Sequence, residues 1–448
     1  MSTRPVLLGL DLGTTRVKAA LVDGAGAEVA LASAPTPFSS RPAGTEMDAG
    51  DLLDVVGGVV AMLGDDRAGV AGVGIAGIAE SGAPVDARGT PLAPVIAWHD
   101  PRGAEVVARL QERFGDELAM SIGQRVRTVT SVAKLGWLVD AGVRGTHRWL
   151  GVPELCLHGL TGEQVTEHSL AARTGCFDVG GRHWLPEVAA EAGFDVGVFP
   201  PLGTAGSPLG RVSAGGAAWS GLPEGVPVTL AGHDHLAGVV GCGAAEADLA
   251  NSVGTAETVV GRRQELPDVA LALARGVAVT LAPGGDGWAV LASAARAGRV
   301  LDAAARALGR SPAQLDRLAE DAGVAVDVGQ LMADIDAGDD PRVPPAPPGE
   351  VWCGLLRALA ARTGEAVDRA SEVVGGAPRL VVFGGGSRSR PWLRAKADAL
   401  PLPIVRSTAA EAAARGAAVQ GGVAAGWWPS ARAAPAPDLE PVAPQERP

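Results

Sequence analysis

The stretch Val6–Asp23, VLLGLDLGTTRVKAALVD, most limits what this chain can fold into. Val6 to Leu12 reads as a buried strand. Asp11, Gly13, Thr14 and Thr15 supply a polar turn, and Arg16 to Val22 returns as a second strand. Glycine lets the backbone turn sharply and come close to a ligand. The threonine hydroxyls and nearby N–H groups suit a phosphate. Arg16 and Lys18 add positive charge, and Asp11 suits a metal ion held directly or through water. An ordinary hairpin with a polar turn is the competing reading. A carboxylate at the end of a buried strand, followed by Gly and two hydroxyls, favours the phosphate. Asn251–Val260, NSVGTAETVV, repeats the pattern in the second half, with Gly254 and Thr255 in the places of Gly13 and Thr14. Two facing hairpins of this kind can grip one triphosphate.

A length of 448 residues suits two domains, and 47% apolar content is ample for their cores. The division expected is residues 1–243, residues 244–429 and a Pro- and Ala-rich disordered tail over 430–448. A net charge of −12 argues against nucleic acid or an acidic membrane as partner. The four cysteines are scattered, with no C-x-x-C, so neither zinc nor a disulfide framework is indicated. No secretory leader is recognisable, and no apolar run approaches ~20 residues. A reduced, soluble, cytoplasmic protein is expected. A homodimer is compatible with the sequence, which does not itself name an oligomeric state.

Asp48–Leu63, Ala292–Leu308 and Val351–Val374 have helical spacing. Gly72–Gly77 is a literal G-x-G-x-x-G. It lies inside an apolar run with no helix pattern after it, so it is not a dinucleotide fingerprint. Glu80-Ser81 follows. In Pro94–Arg102, PVIAWHDPR, a strand ends at Trp98 and Pro101 suits the first turn of a helix running to Phe114. Asp100 then reads either as that helix's N-cap or as a ligand to substrate. Gly232-His233-Asp234-His235 stands where the strand Val226–Ala231 hands over to a helix, a usual place for a reactive side chain. The helix dipole favours ionised Asp234 there, although an N-cap is again the simpler role. The histidine pair has no third partner in sequence, which argues against zinc. Pro341–Gly349 is a Pro-rich loop. Gly384-Gly385-Gly386-Ser387 ends the strand Arg379–Phe383 and either seats a flat ligand such as adenine or is a flexible loop. Ala409–Ala425 is a small-residue helix able to pack very close to another element.

In this order the segments resemble the FGGY family of carbohydrate kinases, from about residue 5 to 428. That family belongs to the sugar-kinase, heat-shock chaperone and actin superfamily. The first hairpin resembles its phosphate loop, Trp98-His99-Asp100-Pro101-Arg102 its W-x-D-x-R segment, and Lys134–Leu138 its K-L-x-W-L helix. Gly232-His233-Asp234 resembles its G-x-D turn, Gly254-Thr255 its second phosphate motif, Gly384–Ser387 its adenosine motif, and Glu411–Ala418 its E-x-A-x-x-G-A-A helix. Three departures stand out. Glu80-Ser81 replaces the Gln-Met-His of xylulokinase-like members. His235 stands where many relatives carry Asn or Gln. The segment between Gly323 and Gly375 is short.

The resemblance implies an α/β fold of two ribonuclease-H-like (actin-like ATPase) domains around a central cleft. It implies ATP-dependent phosphorylation of a small sugar, ketose, polyol or aldonate, with Asp234 as general base. Asp11, Gly13, Thr14, Thr15, Arg16, Gly254, Thr255, Gly384, Gly385, Gly386 and Ser387 would bind ATP, and Asp11 would help hold Mg²⁺. Glu80, Ser81, Trp98, Asp100, Arg102, Asp234 and His235 would bind the sugar. Glu80 and His235 are expected to read hydroxyls other than the one phosphorylated. The rival readings are a sugar- or nucleotide-sensing protein that lost turnover and an actin-like or chaperone-like ATPase. Intact Asp11 and Asp234 speak against the first, and the W-H-D-P-R and H-D-H segments against the second.

Overall fold

The computed structural model describes residues 4–42, 44–320, 322 and 325–444. The chain divides into two units. Unit 1 runs to Cys242 and resumes over Arg263–Ala289 and Ala409–Pro437; unit 2 takes Gly243–Arg262, Val290–Thr408 and the chain from Asp438. The first break falls beside the expected boundary, but two later segments return to unit 1, so the units are not continuous blocks.

Unit 1 is built on β1 (Val6–Leu12), β2 (Arg16–Val22), β3 (Glu28–Pro35), β4 (Val70–Gly77), β5 (Gly210–Arg211) and β6 (Pro227–His233), ordered β5-β6-β4-β1-β2-β3. The first three form an antiparallel meander, and β4 lies parallel to both β1 and β6. Strand alternation divides β1 between two faces. Leu8, Leu10 and Leu12 join a core with Leu52, Val56 and Val59 of α1 (Ala49–Ala61), whose N-terminus Asp48 caps through Gly50 N–H. Leu7, Gly9 and Asp11 share the other face. Leu7 packs there with Ala414 and Ala418.

That second face explains the G-x-G-x-x-G run. α2 (Asp234–Gly241) follows β6 directly, and α3 (Ala412–Ala424) is the small-residue helix read from the sequence. A Cβ on Gly9 would lie 1.8 Å from the Ala414 carbonyl oxygen, and one on Gly74 would lie 1.8 Å from that of Ala417. The glycines therefore admit helix backbone against strand backbone. Small residues at Ala414, Ala417 and Gly421 make the same approach possible from the helix side.

Unit 2 contains β7 (Leu249–Val253), β8 (Glu257–Arg263), β9 (Trp288–Ala295), β10 (Leu380–Phe383), β11 (Ile404–Ser407) and β12 (Leu439–Val442), ordered β9-β8-β7-β10-β11-β12. β7 and β8 form the second hairpin, and β7 runs parallel to β10. The expected disordered tail is corrected here. Leu439–Val442 pairs antiparallel with Ile404–Ser407, completing backbone hydrogen bonds that β11 would otherwise leave open. Residues 445–448 of that tail lie outside the described residues. So do residues 323 and 324 of the segment expected to be short; from 325 onward it holds the helices Gly329–Ala337 and Pro348–Val374.

The helix after Pro101 is also corrected. It spans Ala104–Ile122, with Gly103 at its N-cap and a break at Gly115, so Asp100 does not cap it. No helix of the described residues is long and apolar enough to cross a membrane.

Gly74→Ala should destabilise unit 1 by about 1–3 kcal/mol or more, because the methyl meets main chain that cannot rotate away. Gly58→Ala is the control: Gly58 lies within α1 with nothing within 4 Å of an added Cβ. Thermal unfolding should show an earlier transition for Gly74→Ala and no loss for Gly58→Ala.

Candidate active site

All the groups described first belong to unit 1. Asp11 ends β1, cross-strand from Lys18 of β2. Its carboxylate lies 3.9 Å from Lys18 Nζ, which makes a 2.8 Å ion pair with Glu411 just before α3. Asp11 Oδ1 is buried and has no hydrogen-bond partner among the described residues. Burial pushes its carboxyl up to about 7; Lys18 opposes this, and Asp234 and Glu411 add to it. Lys18 is held above its ordinary value, since Asp11 and Glu411 outweigh the opposing effect of burial.

The turn itself is tied down. Gly13 N–H donates to Arg16 O, Thr36 Oγ1 donates to Gly13 O at 2.7 Å, and Trp98 Nε1 donates to Thr14 Oγ1 at 2.9 Å. Arg16 behaves otherwise than expected. Its guanidinium lies along β3 and bonds Ser33 Oγ and Ser33 O.

Asp234 is the first residue of α2, directly after β6. Its Oδ1 accepts from His235 N–H at 2.6 Å and lies 3.1 Å from His233 Nε2. Burial lifts the Asp234 carboxyl above its ordinary value, and His235 opposes the rise. The side chain still keeps 23% of its surface open. Burial drives His233 well below its usual value. The rings of His233 and His235 meet edge to face, with centroids 5.2 Å apart.

Glu80 forms a buried ion pair that spacing alone did not reveal. Arg173 donates to Glu80 Oε1 from Nε at 2.8 Å and from Nη2 at 2.5 Å, and Ser131 Oγ donates to Glu80 O. The only hint in sequence is a lone cation in the short run Leu170–Phe177. Ser81 is buried and its Oγ has no partner among the described residues.

Asp100 is more committed than expected. Oδ1 accepts from Arg102 N–H and Nε, and Oδ2 accepts from Thr45 N–H and Arg102 Nη2. Burial favours the neutral acid, but these donors prevail and hold its carboxyl below the usual range. Arg102 also pairs with Glu46 and lies 4.9 Å from the Trp137 ring centre. Asp100 thus anchors Arg102 rather than standing open as an acceptor. Lys134, buried, donates to the carbonyls of Asp100 and Thr128, and burial pushes it down to about 8.

In unit 2, Gly254 N–H donates to Ala256 O across the β7–β8 turn. Beneath that hairpin Lys396, from the helix Arg390–Ala399, donates to Asn251 Oδ1, Thr363 Oγ1 and Glu257. Gly384 has φ +94°, and Ser387 Oγ donates back to Gly384 O at 2.7 Å. Gly385 has nothing within 4 Å of an added Cβ, so one face of this turn is open to a flat ligand.

Residues 6–241 match the N-terminal domain of the FGGY family of carbohydrate kinases, and residues 331–425 match its C-terminal domain. An L-fuculokinase from Salmonella typhi is 30% identical, over 93% of this chain and 92% of its own. A xylulose kinase from Streptomyces coelicolor is 28% identical over 93% and 87%. The crystal structure of a xylulose kinase from Rhodospirillum rubrum superposes with a TM-score of 0.80 at 26% identity, over 98% of this chain and 94% of that one. With its two α/β units of the actin-like ATPase fold, this chain belongs to the FGGY family of carbohydrate kinases and is an ATP-dependent sugar kinase.

Proposed function

We propose that the chain transfers the γ-phosphoryl group of Mg·ATP to a hydroxyl of a small ketose, with Asp234 as general base. The observation that carries this is the setting of Asp234: a partly open carboxylate at a strand-to-helix junction, whose Oδ1 accepts from His235 N–H and lies 3.1 Å from His233 Nε2. Oδ1 is held, and Oδ2 takes the proton of the attacking hydroxyl. The N-terminus of α2 favours the ionised form that acceptance requires, while burial raises basicity towards neutral pH. The ketose follows from two relatives whose names are an L-fuculokinase and a xylulose kinase.

Asp11 fits a divalent cation, because its buried Oδ1 has no donor among the described residues and magnesium takes oxygen ligands. When bound, Mg²⁺ supplies charge neutralisation on the phosphate oxygens. In unit 1, Gly13, Thr14 and Thr15 offer phosphate contacts. In unit 2, Gly254 and Thr255 do the same, and Gly384–Ser387 seat the adenosine. Glu80, Ser81, Trp98 and His235 contact the sugar, with Glu80 and His235 reading hydroxyls other than the acceptor. Asp100 and Arg102 fix the Thr45 backbone.

Asp234→Asn should lower kcat by ~10²–10⁴ with sugar binding largely kept; near-normal turnover overturns the assignment. The acid limb of the rate should lie above the ordinary carboxylate range, since both Asp11 and Asp234 must be ionised and both are raised. Activity is then lost as pH falls through those raised values. Extra Mg²⁺ competes with the proton on Asp11, so it should move the limb to lower pH in wild type. An Asp11→Asn variant should lose that magnesium dependence. A limb that ignores magnesium concentration counts against Asp11 as a metal ligand.

ADP release measured with L-fuculose, D-xylulose, glycerol and gluconate tests the substrate class. A ketose should give the greatest stimulation. Glycerol or gluconate as the best acceptor, or hydrolysis independent of sugar, overturns the ketose reading.

A further inference from the structure

Behind the turn that carries Asp234 lies a polar seat that the phosphoryl transfer described above does not use. Glu167 and Ser169 are both fully buried. Ser169 donates to Glu167 Oε2 from N at 2.9 Å and from Oγ at 2.6 Å. Gly284 N–H donates to the other carboxylate oxygen at 2.6 Å. Because the Ser169 hydroxyl proton points at Glu167, its oxygen is left to accept, and His233 N–H donates to it at 3.0 Å. His233 Nε2 in turn lies 3.1 Å from Asp234 Oδ1. The seat touches the preceding residue as well. Gly232 has φ +88°, and a Cβ there would lie 2.3 Å from Ser169 Oγ and 2.8 Å from Glu167 Oε2. Glycine is therefore required at 232 both by conformation and by the space that Glu167 and Ser169 occupy.

We propose that Glu167 is a positioning residue for phosphoryl transfer: through Ser169 it fixes the backbone at Gly232-His233 and so the aim of the Asp234 carboxylate. The inference rests on Asp234 being the base. Three donors on one carboxylate define its orientation more tightly than core packing would, and an amide cannot reproduce it. Glutamine presents an NH₂ to at least one of three N–H or O–H groups that need an acceptor. A buried site so mispaired shifts, and a misplacement of about 1 Å at a reacting group costs ~10²-fold in rate.

The test uses the full-length protein and whichever of L-fuculose, D-xylulose, glycerol and gluconate gives the fastest ADP release. Glu167→Gln should lower kcat by ~10–100-fold with KM for ATP within about threefold, and Glu167→Asp, which keeps the charge, should recover most of the loss. In the Asp234→Asn background Glu167→Gln should add little, because both act through the same carboxylate. An equal fractional loss in both backgrounds, or an unchanged kcat, overturns the proposal. Hydrogen exchange supplies a readout independent of turnover. Ser169→Ala removes the acceptor of His233 N–H, so the peptide over 227–241 should exchange roughly tenfold faster, and unchanged exchange also overturns the proposal. Faster exchange together with near-normal turnover of Asp234→Asn would instead show that the seat holds the turn but that Asp234 is not the base.

Discussion

The carbonyl oxygens of Ala414 and Ala417 occupy the space that side chains on Gly9 and Gly74 would need. A helix can approach a sheet this closely only where both surfaces lack bulk. That one contact sets much of the chemistry of unit 1. It places Glu411, at the mouth of α3, within an ion pair of Lys18, and Lys18 near the carboxylate of Asp11. Asp11 shares a strand face with Leu7 and Gly9, so its position follows from the same packing. It also explains why the chain must return to unit 1 after residue 408. Among the described residues α3 packs on the face of β1 and β4 that carries Asp11, where Ala237 of α2 joins Ala76 and Ala417.

On top of burial, Asp234 and Glu411 raise the affinity of Asp11 for a proton, and Glu80 does the same for Asp234. Two carboxylates held this way are poor neighbours until a cation arrives. Lys18 gives partial relief, yet Asp11 still rests near neutrality. A divalent ion at Asp11 would favour its ionised form against burial and against both acidic neighbours.

Features set by local pattern were legible in the sequence. Both hairpins, the strand-to-helix position of Asp234 and the close-packing helix after residue 409 rest on short runs whose spacing fixes their geometry. Partnerships between distant segments were not. Arg173 lies 93 positions from Glu80, and a lone cation in its short run does not name its partner. Asp100 looked like a cap because Pro101 suits a helix start, but Arg102 and Thr45 N–H capture the carboxylate first and the helix begins after Gly103. Arg16 looked like a phosphate ligand by its place in the loop. As the first residue of a strand, its side chain instead lies along β3 and bonds Ser33. The tail looked disordered from its Pro and Ala content, whereas four residues of backbone suffice to extend a sheet edge.

The two hairpins have the same turn but different interiors. In the first, the position before the turn carries a carboxylate with an unpaired buried oxygen. In the second, the equivalent position is Ser252, which is neutral. The carboxylate of that hairpin, Glu257, is fully buried and paired with Lys396, with Thr363 and Asn251 completing the cluster. Such an ion pair is costly to break and has little freedom to accept a metal. Its consequence is rigidity beneath Gly254 and Thr255. Under the function proposed above, the cation would sit at Asp11, while the second hairpin would contribute main-chain N–H groups and a hydroxyl. The two copies of the loop would then differ in role through the residues beneath them rather than through the turn.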